Sequence, residues 1–380
     1  MRMEFALGRQ HDEVRRKIRG FVEKHVAPHA DAWDRGKEFP LEAWRALGKE
    51  GLTGLPFPAK YGGAGRDILS YVLAVEEISR ASAGLGVTLA VHVSLASQPI
   101  FWYGNEAQKR RFLRPLARGK ELGSFCLTEP GAGSDVAAME SKAVRKGDDY
   151  LISGRKYFIM NAPVASTLVV FAMTDKSLGH RGISCFLVPR KSAGVRIGKI
   201  FDKMGIRSSV TSEVVFEEVR VPAENLLGHL GDGFKIAMDT LDCGRISIAG
   251  QAVGIAQASL DAAVQYARHR VQFGKPIADL EAIRWMVADM ATEIEAARLL
   301  TYRAAWLTDR HKRHTMEASM AKLFAASTAV EATRKALQIH GGYGYMTDLP
   351  LERYYRDAKI TEIYEGTSEI QRLVISNELL

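Results

Sequence analysis

The sequence predicts an α+β fold in three parts, with helical regions at both ends and a compact β domain between them. Three observations predict it. Apolar residues recur at three- and four-residue spacing through the first and last parts of the chain. Short apolar runs separated by Gly, Pro, Asp and Lys fill the middle. No repeat or low-complexity linker separates the parts, so they are expected to pack as one body. The boundaries fall at residues 1–120, 121–232 and 233–380. A chain of 380 residues has the length for roughly two to three domains around sizeable cores.

In the first part, Val14, Ile18, Phe21, Val22 and His25 share one helical face. Leu41–Leu47, Ile68–Ile78 and Phe112–Leu116 repeat the pattern. The loop Pro56-Phe57-Pro58-Ala59-Lys60-Tyr61-Gly62-Gly63-Ala64-Gly65 reads as a structural turn, because no strand precedes it and no lysine follows at phosphate-loop spacing. Ala81–Gly104 carries no formal charge, yet His92, Ser94, Ser97, Gln98 and Pro99 make it too polar for lipid. It is expected to be a buried helix, with no membrane association. Asn105 and Gln108 read as a helix cap ahead of the basic run Lys109–Pro115. With Phe112 alone interleaved, that run fits a solvated face and not a nucleic-acid surface.

The apolar runs of the middle part are Gly123–Thr128, Tyr150–Ile159, Leu168–Met173, Ile183–Val188 and Val214–Val221. The helical period returns at Asp232, read as a cap before Phe234. Ile283, Met286, Met290, Ile294, Ala297 and Thr301 form one face, and Leu323–Ile339 forms a further long helix. Four long helices of this kind imply an antiparallel bundle.

Composition is 47% hydrophobic and 25% charged, which excludes the disordered and fibrous classes. A net charge of +8 describes a mildly basic surface that would steer an anionic ligand. Cys126, Cys185 and Cys243 are too far apart for a disulfide scaffold or metal knuckle; they fit a reducing compartment, so a cytoplasmic location is expected. The pairs His25/His29 and His311/His314 lack further ligands and read as surface histidines, so no metal site is expected. The amino terminus, Met1 to Val14, has no signal-peptide core.

Five segments carry chemistry. Ile363-Tyr364-Glu365-Gly366-Thr367-Ser368-Glu369-Ile370-Gln371-Arg372 sets a carboxylate beside a glycine just ahead of a helix start. Ser368 with Gln371 fits a capping box, which by itself would explain the polar residues. Phe125-Cys126-Leu127-Thr128-Glu129-Pro130-Gly131-Ala132-Gly133-Ser134-Asp135 leaves a strand for a glycine-rich turn. Val136 stands where a dinucleotide fingerprint needs a third glycine, so a Rossmann site is rejected and a plain β-turn is the alternative. Asp242 and Arg245 in Leu241-Asp242-Cys243-Gly244-Arg245 lie three apart on a helix and could be a structural ion pair. Tyr266–Pro276, with Arg270, Gln272 and Phe273, ends a helix at Gly274 and Pro276. Gln338-Ile339-His340-Gly341-Gly342-Tyr343-Gly344 closes another; a C-cap explains one glycine, close approach to a dinucleotide the pair.

Taken in chain order, together with the strand Gly154–Asn161, these segments resemble those of acyl-CoA dehydrogenases over nearly the whole chain. The look is closest to the short-chain and short/branched-chain members. The resemblance implies a helical N-terminal domain, a β-barrel-like middle domain, a C-terminal four-helix bundle, a homotetramer and FAD as cofactor. It makes Glu365 the catalytic base, with Tyr364, Gly366, Asp242 and Arg245 along the acyl-CoA. Some relatives carry their base at the position of Gly244, so Glu365 has no rival there. The implied FAD contacts are Phe125, Leu127, Thr128, Gly133, Phe158, Ile159, Met160, Arg270, Gln272, Phe273, Glu281, Gln338, Gly341, Gly342, Thr367 and Glu369. Ser134 would reach either the flavin phosphates or the acyl-CoA.

The chain departs from the family's pattern at Phe158, where tryptophan is usual, at Met160, where threonine is usual, and at Glu281, where glutamine is usual. Methionine cannot donate the threonine's hydrogen bond, which puts flavin tuning in question. The implied reaction is α,β-dehydrogenation of a short- or branched-chain acyl-CoA to the trans-2-enoyl-CoA. The α-proton goes to Glu365, the β-hydride to flavin N5, and the electrons to an electron-transfer flavoprotein. Rivals on the same fold are an acyl-CoA oxidase, an acyl-carrier-protein dehydrogenase and a nitroalkane-oxidising enzyme, whose expected aspartate base disagrees with Glu365. A non-catalytic scaffold protein is the rival of another class.

Overall fold

A computed structural model describes residues 7–380; the first six residues of the Met1–Val14 stretch lie outside the described residues. The amino-terminal helices follow the apolar spacing. Arg9–His25 buries Val14, Ile18, Phe21 and Val22, and Ile68–Ala81 opens on Asp67, whose side chain accepts from the Ser70 N–H. Asn105 and Gln108 form the expected reciprocal capping box.

The uncharged stretch is a helix from Ala83 to Tyr103, 94% buried over its most apolar window. It is a core helix, the one helix among the described residues long and apolar enough to cross a membrane. Its middle, Val91–Ser97, widens into π-type turns, a local geometry often found at functional sites.

The middle domain is one eight-stranded sheet. Its strands are β1 (Gly123–Cys126), β2 (Lys142–Lys146), β3 (Asp149–Met160) and β4 (Thr167–Met173), then β5 (Ile183–Pro189), β6 (Val195–Ile200), β7 (Thr211–Pro222) and β8 (Leu226–Leu227). The path runs β6-β7-β3-β2-β4-β5-β8, and β1 pairs parallel with β4 at its side. β2 and β6 fall outside the apolar runs of the sequence. In β2 only Ala143 and no lysine or arginine is buried, so no apolar run betrays the strand.

Three long helices, Gly233–His269, Glu281–Asp309 and Thr315–His340, carry the carboxyl-terminal part, with Ser368–Leu379 as a shorter fourth. The Ile68–Ala81 helix crosses Gly233–His269 so closely that a Cβ on Gly254 would sit 2.3 Å from the Glu76 carbonyl. Buried Glu76 binds Arg298 at 3.1 Å and the Tyr302 hydroxyl at 2.7 Å, which ties the first helices to the bundle.

Two capping expectations are corrected. Asp232 stands at the N-cap position but caps nothing; its carboxylate accepts from the His229 N–H at 2.9 Å and so serves the preceding turn. In the last helix Thr367 is the cap, accepting from the Ile370 N–H at 3.3 Å. The Ser368–Gln371 box does not form, because the Gln371 amide turns back to donate to the Gly366 carbonyl at 2.8 Å.

Candidate active site

The segment ahead of the last helix makes a tight reversal. Glu365 has φ 53° and Gly366 φ 93°. Glycine takes such angles freely, whereas a glutamate there is strained, and strain of this kind persists where surrounding contacts enforce it. Two donors do so: Lys322 Nζ and Gln371 Nε2 both reach the Gly366 carbonyl, at 2.7 and 2.8 Å.

The reversal drives the Glu365 side chain inward. The residue as a whole is partly exposed, but both carboxylate oxygens are buried, and neither has a hydrogen-bond partner among the described residues. Burial pushes its pKa up to about 8, against the downward pull of the Lys322 and Arg245 charges. The wall opposite is built to admit it. A Cβ on Gly244 would lie 2.1 Å from Glu365 Oε2 and 2.8 Å from a methyl of Leu95, on the widened helix turns.

Around the carboxylate the polar groups are incompletely paired. Arg245 binds Asp242 through one terminal nitrogen at 2.6 Å, while its Nε is buried without a partner among the described residues. Asp242 also accepts from the Thr315 hydroxyl at 2.6 Å, and burial raises its pKa. Unpaired buried polar atoms are costly unless a ligand satisfies them, which makes this cluster a candidate site. At the far side Tyr364 hydrogen-bonds through its hydroxyl to Gln251, whose amide donates to the Ala83 carbonyl at 2.9 Å.

A cavity of 440 Å³ adjoins the pair Asp242–Thr315 and opens between Gln98, Trp102 and the 308–315 loop. Its lining is mixed in charge, with Arg66, Lys312 and Arg313 against Asp239, Asp242 and Asp309. His311 and His314, expected from sequence to be plain surface residues, are part of this lining.

The middle domain contributes a strip. Phe125 and Leu127 are buried, Thr128 and Met160 half-buried, and Ile159 buried behind them. β3 is stitched to this strip by the Tyr157 N–H on the Thr128 carbonyl at 2.8 Å and by Lys156 Nζ on the Leu127 carbonyl at 3.0 Å. Phe158 bulges outward at φ 56° and is 63% exposed. Gly133 and Ser134 lie exposed on the following turn.

A second cavity, of 640 Å³, gathers Arg270, Gln272, Phe273, Gly341 and Gly342 in a cleft. Phe273 is 90% exposed there, Arg270 stands over the Tyr343 ring at 5.3 Å, and Cβ atoms on Gly341 and Gly342 would meet open space. A bare glycine backbone, a cation and flat rings in one cleft fit a dinucleotide such as FAD. Gln338 is exposed on the helix turn just before the pair. Glu281 is exposed at its helix start and does not line the cleft, while Leu280 and Ile283 beside it do. Thr367 is occupied as the helix cap, and Glu369 is exposed. No hydrogen bond among the described residues links the cleft to the strip. Most of the expected residues thus fall at three places, the Glu365 pocket, the strip and the cleft, while Glu281, Gln338 and Glu369 point to solvent and Thr367 caps a helix.

Lys322, Gln251 and Gln371 escape a reading of the sequence as site residues. Lys322 leaves one signal, a lysine on the otherwise small-residue stripe of Ala318, Ala321, Ala325 and Ala329.

Comparison with known proteins places the chain. Residues 8–120, 124–219 and 231–380 match the family models of the acyl-CoA dehydrogenase N-terminal, middle and C-terminal domains. The chain is 48% identical, over 99% of its length and 100% of the relative's, to the short-chain specific acyl-CoA dehydrogenase of Clostridium acetobutylicum. Its fold is similar to butyryl-CoA dehydrogenase from Megasphaera elsdenii, with TM-score 0.98, 46% identity, and 99% and 100% of the two chains covered. A chain in a structure of the electron transferring flavoprotein of Acidaminococcus fermentans matches with TM-score 0.99 and 49% identity over 100% of both. PigA with FAD and proline matches at TM-score 0.96 and 28% identity over 99% of each chain.

Proposed function

This chain belongs to the acyl-CoA dehydrogenase family and is an FAD-dependent oxidoreductase, and from that premise we propose that it converts short- or branched-chain acyl-CoA to the trans-2-enoyl-CoA with Glu365 as base. The observation that carries this reading is the buried, unpartnered Glu365 carboxylate held in a left-handed turn. A base must be ionised to act, and a pKa near the working pH makes it strong enough to take a weakly acidic α-proton. The Glu365 N–H, which makes no hydrogen bond among the described residues, is free to donate to the thioester carbonyl as charge develops there. FAD, when bound, supplies the acceptor for the β-hydride.

Arg66, Lys312 and Arg313 in the 440 Å³ cavity could meet the phosphates of CoA, with Asp239, Asp242 and Asp309 of the same lining offsetting their charge. Arg245, with Nε unpaired, and Asp242 would meet polar groups nearer the thioester. The Tyr364–Gln251–Ala83 bridge supports a short acyl group. Gln251 lies two turns beyond Gly244 on the same helix, about 10 Å along its axis.

The strip of Phe125, Leu127, Thr128, Phe158, Ile159 and Met160 is our proposed seat for the flavin ring. The cleft at Arg270, Gln272, Phe273, Gly341 and Gly342 is the seat for the phosphates and adenosine. Because the cleft's lining contains no residue of the strip and no hydrogen bond among the described residues joins them, we assign them to different subunits of a homotetramer. The exposed aromatic residues Phe273, Tyr343 and Trp285 support such an assembly. The match to a chain from an electron transferring flavoprotein structure supports that class of electron acceptor. Three buried free cysteines fit a cytoplasmic setting.

The test is Glu365→Gln. The variant is expected to remain yellow with bound FAD and to fail to bleach with butyryl-CoA under anaerobic conditions; full bleaching removes Glu365 from the role. Met160 favours a second reading, an acyl-CoA oxidase, since no hydroxyl at that position restrains the flavin edge. Rapid peroxide formation in air would select it.

A further inference from the structure

Lys322 lies on the Thr315–His340 helix among Ala318, Ser319, Ala321, Ala325 and Ala326, and is itself 0% exposed. Its single hydrogen bond runs to the Gly366 carbonyl, and among the described residues no carboxylate is within ion-pair distance of it. Burying an ammonium for one neutral carbonyl is costly, and a methionine of similar length would fill the space without that cost. Packing alone therefore does not account for a lysine here.

The carbonyl it holds belongs to the reversal that carries Glu365. Gln371 donates to the same oxygen at 2.8 Å and to the Glu365 carbonyl at 3.4 Å, so a charged and a neutral donor grip one turn from two helices. The charges around the carboxylate divide unevenly. Arg245, from the Gly233–His269 helix, is already engaged by Asp242 at 2.6 Å. Cys243 from the same helix, Tyr71 from the Ile68–Ala81 helix and Tyr364 also face Glu365 but bring no positive charge. Glu362 and Glu369 act on Lys322 from the turn and the last helix.

We propose that Lys322 is a positioning residue for proton abstraction: its ammonium clamps the Glu365–Gly366 turn and keeps near the carboxylate a positive charge that no acid pairs with directly. The inference rests on Glu365 being the base. A neighbouring cation favours the ionised form, so losing it should raise the Glu365 pKa further above its present position of about 8. Burial lowers the pKa of Lys322 itself to about 8, so the two groups exchange influence in the same pH range.

The experiment is an infrared pH titration of the holoenzyme, with the Glu365→Gln spectrum subtracted to isolate the Glu365 carboxyl band. Lys322→Met is expected to move its midpoint to higher pH by about one unit, roughly tenfold less carboxylate at pH well below the midpoint. Lys322→Gln, should the methionine variant fold poorly, is expected to do the same. Lys322→Arg keeps the charge and the midpoint. Gln371→Met removes only the neutral donor, so it is expected to lower kcat while leaving the midpoint in place. An unmoved midpoint in both neutral Lys322 variants overturns the proposal while leaving Glu365 as base. Absence of any band that Glu365→Gln removes overturns the base assignment, and this inference with it.

Discussion

Two glutamates in this molecule set buried carboxylates near buried lysines, and burial acts on them in opposite company. Glu129 accepts from Lys156 at 2.7 Å and from the Glu140 and Ser141 N–H groups at 2.6 and 3.1 Å. Those partners outweigh desolvation and hold its pKa below the usual carboxylate range. Glu365 sits near Lys322, but the lysine donates to the Gly366 carbonyl and both carboxylate oxygens stay unpaired. Desolvation then dominates and its pKa rises to about 8. The same pair of residue types thus builds a rivet in the β domain and a reactive group in the bundle. What separates them is whether backbone donors and a direct contact complete the carboxylate's hydrogen bonds.

The strongest way to break this comparison is to neutralise the reactive glutamate. Glu365→Gln is expected to slow substrate-driven flavin reduction by about 10²–10⁴-fold, measured by stopped-flow absorbance. Breaking the rivet should instead cost stability. Lys156→Met leaves Glu129 buried without its cation and is expected to lower unfolding free energy by about 3–5 kcal/mol in denaturant titration.

A subtler contrast comes from pH. A folded-state pKa above the ordinary carboxylate value stabilises the fold below that ordinary value, and the contribution is lost as pH rises through about 8. Glu365→Gln should therefore match wild type in stability near pH 5 and exceed it near pH 9, by ~1.4 kcal/mol for every tenfold by which folding tightens proton binding at Glu365. Glu129 has the opposite sign, stabilising above the ordinary carboxylate value and losing that contribution as pH falls through its lowered folded pKa.

Steric sharpening is possible at Gly244. Gly244→Ala places a methyl on the Glu365 carboxylate and on Leu95, with an expected loss of about 1–3 kcal/mol and a fall in kcat. The smallest effect is at the helix cap: Thr367→Ala is expected to cost about 1 kcal/mol, read from thermal unfolding.

The sequence carries the helix periods, the five apolar strands and the position of Glu365, because each is a local pattern of apolar spacing or turn chemistry. β2 escapes because it buries one alanine and exposes Val144 together with its lysines and arginine, so its apolar residues do not alternate with its polar ones. The capping box at Ser368 and Gln371 fails because a side-chain amide has several carbonyls within reach, and only the fold shows which one it takes. Arg270 and Gly341 can be paired as ligand-facing residues from sequence, but that the cleft they line excludes Phe158, Ile159 and Met160 is seen only in three dimensions. Lys322 is legible as a charge on an alanine stripe, while its partner carbonyl lies 44 positions away.

The measurement that bears most directly on the account is the pH dependence of anaerobic flavin reduction by butyryl-CoA. A buried, unpaired Glu365 acting as base predicts a rate that climbs with pH to a plateau, with its midpoint near 8 before substrate binds. A rate that is already level from the ordinary carboxylate range upward would mean that the base is a solvated or fully paired acid, and would contradict it.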